Sequence, residues 1–116
     1  MLTIYHNPRC SKSRQTLAII EDNNQPVTIV EYLKTPLNAA EISQIMTQLN
    51  VSPRDMMRTK EAEFKELNLA NADDATLIAA MASTPKLIER PIVTDNTRAI
   101  IGRPPENVLS LMQVSD

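Results

Sequence analysis

LTIYHNPRCSKSRQTLAIIEDNNQPVTIVEYL, residues 2–33, opens with a run suited to a strand, Leu2–Tyr5, which the Asn7-Pro8 pair turns away. Residues Ser11–Glu21 then suit a helix, with Leu17, Ile20 and Ser13 on one face, fading at Asn23-Asn24. Val27–Leu33 is rich in β-branched residues and reads as a second strand. Strand, helix and strand in this order form a β-α-β unit, whose two strands should run parallel through a right-handed crossover.

Downstream, Asn38 caps a helix with Glu41 three residues on, and Ile42, Ile45, Met46 and Leu49 form its apolar stripe. Ser52-Pro53 starts a short helical turn through Met57, and Glu61–Leu67 reads as another short helix. Asp73 or Asp74 caps a further helix with Leu77, Ile78 and Met81 buried, stopped at Thr84-Pro85. Ile92–Thr94 and Arg98–Ile101 read as two strands around Asp95-Asn96-Thr97. Pro104-Pro105 opens a last helix carrying Val108, Leu111 and Met112. The order β-α-β, several helices, β-β-α predicts an α/β fold: a thioredoxin-like mixed four-stranded sheet. The expectation is one domain over residues 1–116, with a helical insertion at about 38–85.

Composition narrows the function classes. A chain of 116 residues is the length of one ordinary domain, and 42% hydrophobic with 22% charged argues against wholesale disorder. No apolar run approaches the ~20 residues of a membrane span, and the N-terminus lacks a secretory pattern. One cysteine and one histidine exclude an internal disulfide and a credible structural zinc set. The only glycine, Gly102, excludes glycine-rich phosphate loops and the dinucleotide fingerprint. The expectation is a soluble cytoplasmic protein with no membrane partner, and a net charge of −2 disfavours nucleic acid. With two Tyr, one Phe and six Met, the core must be aliphatic and methionine-rich.

The charge is unevenly placed. Residues 1–14 hold Arg9, Lys12 and Arg14 and no acid, whereas the remainder holds nine basic and fourteen acidic residues. Cys10 lies inside that positive segment, where a loop meets a helix N-terminus, and that end favours a thiolate and offers amides to an anion. A lone cysteine is ordinarily a small buried hydrophobe, but the flanks here are Arg9, Ser11, Lys12, Ser13 and Arg14. His6 could add positive charge or could merely cap or pack, and Lys12 could be an ordinary solvated helix residue.

Lowering a thiol pKa from ~8.5 to ~6.5 raises the thiolate fraction at pH 7 about 25-fold. Nucleophilicity falls with basicity at a slope of ~0.45, which returns roughly eightfold of that. The net gain, about threefold, is too small to be the main catalytic effect. The larger contribution must come from several positive donors holding an oxyanion beside the sulfur.

The chain carries Ile4-Tyr5-His6-Asn7-Pro8-Arg9-Cys10, with His6, Cys10 and Arg14 in a His-x3-Cys-x3-Arg arrangement. It continues with Met56-Met57-Arg58, Ile88-Glu89-Arg90-Pro91-Ile92-Val93 and Gly102-Arg103-Pro104-Pro105-Glu106. In this order and spacing the pieces resemble the glutaredoxin-dependent arsenate reductase (ArsC) family over essentially the whole chain. The resemblance implies Cys10 as nucleophile, Arg58, Arg90 and Arg103 as catalytic, oxyanion-binding arginines, and His6 as the group that tunes the thiolate. It implies that Ser13 and Arg14 support the substrate-binding loop. It also implies a cis bond before Pro91 that aims Arg90 at the site.

The implied reaction is attack of the Cys10 thiolate on arsenate, giving a covalent cysteine–arsenic adduct. Glutathione then attacks the adduct, and glutaredoxin takes the glutathionyl group with release of arsenite. Arsenate, glutathione as co-substrate and glutaredoxin are the implied partners of a monomer, with no metal and no tightly bound cofactor. Ser11-Lys12 stands where the best-known members carry Gly-Thr. This, with the end at Asp116, resembles the short chromosomal, YfgD-like branch. Two other functions fit the same residues. One is a regulator resembling the Spx relatives, which bind RNA polymerase, although Ser13 stands where their switch has a second cysteine. The other is a glutathione-linked thiol reductase of a different substrate.

Overall fold

Strand β1 (Leu2–Tyr5) leads through the Asn7–Arg9 turn into helix α1 (Ser11–Asp22), and the chain returns along β2 (Val27–Val30). β1 and β2 pair in parallel, Leu2 opposite Val27 through Tyr5 opposite Val30. β3 (Ile92–Thr94) joins the other side of β1 antiparallel, and β4 (Ala99–Ile101) pairs antiparallel with β3. The four-stranded mixed sheet therefore has the order β2-β1-β3-β4, which is the thioredoxin-like arrangement expected. In this computed structural model residues 1–112 are described; the end of the chain at Asp116 lies outside them.

The described chain divides into two units: residues 1–32 with the chain from Arg90 on, and Leu33–Glu89. In the first, Leu2, Ile4, Ile20, Val93, Val108 and Leu111 form the buried core, and Leu17, Ile19, Val27, Ile100 and Met112 pack at its margin. Burial of each such aliphatic side chain stabilises by about 1.5–3 kcal/mol, which is what holds α1 against the sheet. The fully buried face of α1 is Ser13, Thr16 and Ile20. Leu17, expected on that face, is only partly buried, because the i, i+3, i+7 row through Ser13 takes the innermost place.

β2 ends at Val30 rather than Leu33. Its partner β1 ends at Tyr5, and the last bond between them runs from the His6 N–H to the Val30 carbonyl at 2.8 Å. β4 starts at Ala99 rather than Arg98, because Arg98 closes the turn: Asp95 Oδ1 accepts its N–H at 2.8 Å. The final segment is a 3-10 turn, Pro105–Val108, running into a short helix, Leu109–Met112, with Val108 and Leu111 buried and Met112 only partly so.

The second unit holds α2 (Ala39–Leu49), α3 (Ala62–Glu66) and α4 (Asp74–Ser83), joined by 3-10 turns at Pro53–Met56, Leu69–Asn71 and Pro85–Leu87. The final short helix of the first unit is accordingly α5. Asn38 and Glu41 form the expected reciprocal cap on α2, with bonds of 2.8 and 3.0 Å. Asp73, not Asp74, caps α4 by accepting the Thr76 N–H at 2.9 Å. The innermost residues of α4 are Leu77, Ala80 and Met81; Ile78 is displaced toward the surface, since the i+3 and i+4 positions from Leu77 fix the buried face. Met57 and Ile88 form an isolated antiparallel bridge, flanked by bonds from the Arg58 N–H to Leu87 at 2.7 Å and from the Glu89 N–H to Met56 at 2.8 Å.

Among the described residues, those with positive φ are all asparagines: Asn24 at 57°, Asn50 at 58°, Asn68 at 55° and Asn96 at 79°. Asparagine tolerates this region better than other side-chain-bearing residues. No described helix is long and apolar enough to cross a membrane.

Candidate active site

Cys10 is the N-cap of α1, with extended backbone angles (φ −93°, ψ 123°) that turn the chain into the helix. Its carbonyl accepts the Arg14 N–H at 3.0 Å, and its own N–H donates to Asn7 at 3.0 Å. The residue is 8% exposed. Burial pushes the thiol pKa up, but four effects outweigh it and hold the pKa below the ordinary value. They are the Ser13 N–H, the Arg90 charge, the Lys12 N–H and the Arg103 charge. The helix terminus and two distant arginines thus favour the thiolate together.

Arg103 follows β4, and its guanidinium is fixed at two points. Nε donates to the Arg90 carbonyl at 2.8 Å, and Nη2 donates to Cys10 Sγ at 3.7 Å. Arg90 precedes Pro91 at the entry to β3, and the bond between them is cis, as is Arg103–Pro104. Its Nε and Nη1 are buried without a hydrogen-bond partner. Buried guanidinium nitrogens in that condition are costly unless something anionic meets them.

Behind the loop, Ser13 is fully buried and its hydroxyl joins two groups. It accepts the Asn7 N–H at 3.0 Å and lies 2.6 Å from His6 Nδ1. His6 is buried, and desolvation lowers its pKa; Glu31 opposes this and Arg14 reinforces it. The imidazole is therefore chiefly neutral at pH 7 and does not add the positive charge considered for it, because a buried ring resists protonation. Arg14 is exposed and spans the loop, its Nη1 donating to the Pro8 carbonyl at 2.9 Å.

His6, Cys10, Ser13, Arg14, Arg90 and Arg103 thus stand together in the first unit. Arg58 belongs to the second, where its guanidinium pairs with Glu61 through Nη1 and approaches Glu89 at 4.0 Å. Lys86 extends that network to Glu63 at 3.0 Å. Two residues packed against the segments of the site have no role assigned in the sequence reading: Thr16, fully buried on α1, and Gly102, whose position against Thr16 and Pro91 leaves no room for a side chain. The signal for Gly102 was its being the one glycine of the chain, next to Arg103. Among the described residues no cluster of His, Cys, Asp and Glu could hold a metal ion.

Comparison with known proteins gives the family of the chain. The model of the ArsC family matches residues 5–111. The chain is 50% identical over 112 residues to the uncharacterised protein YfgD of Escherichia coli, covering 94% of each. It is 43% identical over 114 residues to an arsenate reductase of Neisseria meningitidis, covering 96% of this chain and 97% of that protein. A solved arsenate reductase from Vibrio cholerae superposes with a TM-score of 0.91 at 49% identity, covering 94% of this chain and 95% of that one. A family match over nearly the whole chain, relatives of this identity and a shared fold lead to one conclusion: the chain belongs to the ArsC family.

Proposed function

We propose that this protein is an arsenate reductase that draws its electrons from glutathione and glutaredoxin in a reducing cytoplasm. The observation that carries the reading is the pairing of an acidified, nearly buried thiol with guanidinium groups from two other segments. Arg103 donates to the sulfur itself, and Arg90 keeps two buried nitrogens unmatched. A tetrahedral oxyanion satisfies both needs, since guanidinium forks bind such oxygens in pairs. Arsenate reductases among the relatives supply the identity of the oxyanion.

In this reading the Cys10 thiolate attacks arsenic, a sulfur–arsenic bond forms, and one arsenate oxygen leaves as water after protonation. Glutathione adds its thiol to arsenic with loss of a second water. A glutaredoxin thiolate then attacks the glutathione sulfur. The arsenic–sulfur electron pair stays on arsenic, which passes from pentavalent to trivalent, and the glutaredoxin–glutathione disulfide departs. Hydrolysis of the remaining bond to Cys10 frees arsenite and the thiol. Arg90 and Arg103 hold the oxyanion against the negative sulfur, which is the principal catalytic contribution.

The test is arsenate-dependent NADPH oxidation in the presence of glutathione, glutaredoxin and glutathione reductase. The wild type should show it and Cys10→Ser should not. A wild-type rate no higher than the arsenate-free background would refute the activity.

A further inference from the structure

We infer that Gly102 is a positioning residue: its missing side chain lets the β4 end sit close enough to α1 for Arg103 to reach Cys10. A Cβ built on Gly102 would stand 2.5 Å from Thr16 Oγ1, 2.8 Å from Pro91 Cγ and 3.1 Å from Thr16 Cγ2. None of these neighbours can step aside freely. Thr16 is fully buried, and its hydroxyl is tied to the Lys12 carbonyl at 2.8 Å. Pro91 is a closed ring, and its carbonyl accepts the Gly102 N–H at 2.8 Å. A methyl group at this point must therefore move backbone, either of Gly102 or of α1.

The two backbones that would part carry the reacting groups. Thr16 belongs to the helix whose N-cap is Cys10, and Arg103 is the next residue after Gly102. The Nη2–Sγ distance of 3.7 Å is already long for a donor, so a further shift of about 1 Å breaks it. The Nε bond to Arg90 lies on the same short segment and would be strained with it. The role differs from general packing, because it acts on the sulfur through one named guanidinium. It deepens the oxyanion-site reading above, but it can be tested without arsenate.

The experiment is the pH dependence of Cys10 alkylation by iodoacetamide, a neutral reagent, in intact protein. Gly102→Ala should raise the midpoint and lower the alkylation rate at pH 6 by about twofold or more, which corresponds to a loss of roughly half a pKa unit of thiolate stabilisation once the more basic sulfur's higher nucleophilicity (slope ~0.45) is allowed for. Thr16→Ala, which removes two of the three obstructing atoms, should alone leave the midpoint unchanged and should restore much of it when combined with Gly102→Ala. Adding Gly102→Ala to Arg103→Gln should move the midpoint no further, because the group it acts through is already gone. If Gly102→Ala lowers the melting temperature but leaves the midpoint at the wild-type value, the residue only packs and the inference fails. If Gly102→Ala does not fold, Arg103→Gln is made in the Gly102→Ala/Thr16→Ala protein; with the clash relieved it should raise the midpoint as it does in the wild type, and an unmoved midpoint overturns the proposal. Loss of arsenate turnover in the wild type, with these shifts intact, would sink the substrate and leave the positioning role standing.

Discussion

The Nη2 of Arg103 donates to the sulfur of Cys10 at 3.7 Å, although 93 positions separate the two in sequence. The contact stabilises the charged form of the thiol. Arg103→Gln should therefore raise the alkylation midpoint of Cys10 and lower kcat/KM for arsenate by about 100-fold, a loss typical of removing one oxyanion donor. Arg103→Lys should recover only part of either, since a lysine cannot hold the Arg90 carbonyl and the sulfur with one planar group. A lysine variant with wild-type kinetics would contradict this account.

Arg90 presents the opposite balance between stability and function. Its Nε and Nη1 are buried and unpartnered, so Arg90→Met should leave stability unchanged or raise it by about 1–2 kcal/mol at pH 6. The same variant should lose arsenate turnover. Millimolar sulfate or phosphate should raise the melting temperature of the wild type through preferential binding to the folded state, and Arg90→Met should blunt that rise. Equal anion-induced shifts in both proteins would show that the ion binds elsewhere.

His6 makes stability depend on pH in a definite direction. Burial lowers its folded pKa below 6.5, so near that value the unfolded chain holds more protons than the folded one. The contribution is fully present above pH 6.5 and is lost as pH falls through the folded value. His6→Asn keeps a polar atom near Ser13 and removes the titration. The stability difference between the two proteins, from urea unfolding at several pH values, should change below pH 6.5 and be flat from pH 7 to 8. A difference that stays flat on the acid side as well would exclude His6 as the titrating group.

Ser13→Ala should destabilise by about 1–3 kcal/mol, because the hydroxyl is the partner of both the Asn7 N–H and the His6 ring inside the protein. Chemical denaturation would measure it. A loss below about 0.5 kcal/mol would mean that another group satisfies the Asn7 amide.

How far the sequence is legible follows from the range over which each feature is determined. The Asn38–Glu41 cap and the Asn7-Pro8 turn ahead of Cys10 are set within a few residues, and they stand where expected. Asp73 over Asp74, and Ala80 over Ile78, turn on a single residue of helical phase, which periodicity reads only coarsely. The Leu69–Asn71 turn was not foreseen, because it depends on Asn68 adopting a left-handed conformation that composition does not announce. The approach of Arg103 to Cys10 was reached through family likeness and not through any local pattern. Gly102 enters the sequence reading as the single glycine and as part of a family motif, but its packing role is not legible there, since the contact with Thr16 and Pro91 joins elements remote in sequence.

The four left-handed asparagines bear on the denatured chain as much as on the native one. Wherever the backbone of the described residues bends the unusual way, this protein uses a residue with a side chain, and its eight prolines restrict it further. Such a chain samples fewer shapes when it is disordered than a glycine-rich one, so ordering it forfeits less freedom. Part of what keeps this small protein folded is thus absent from any catalogue of its native interactions and lies in the poverty of its alternatives.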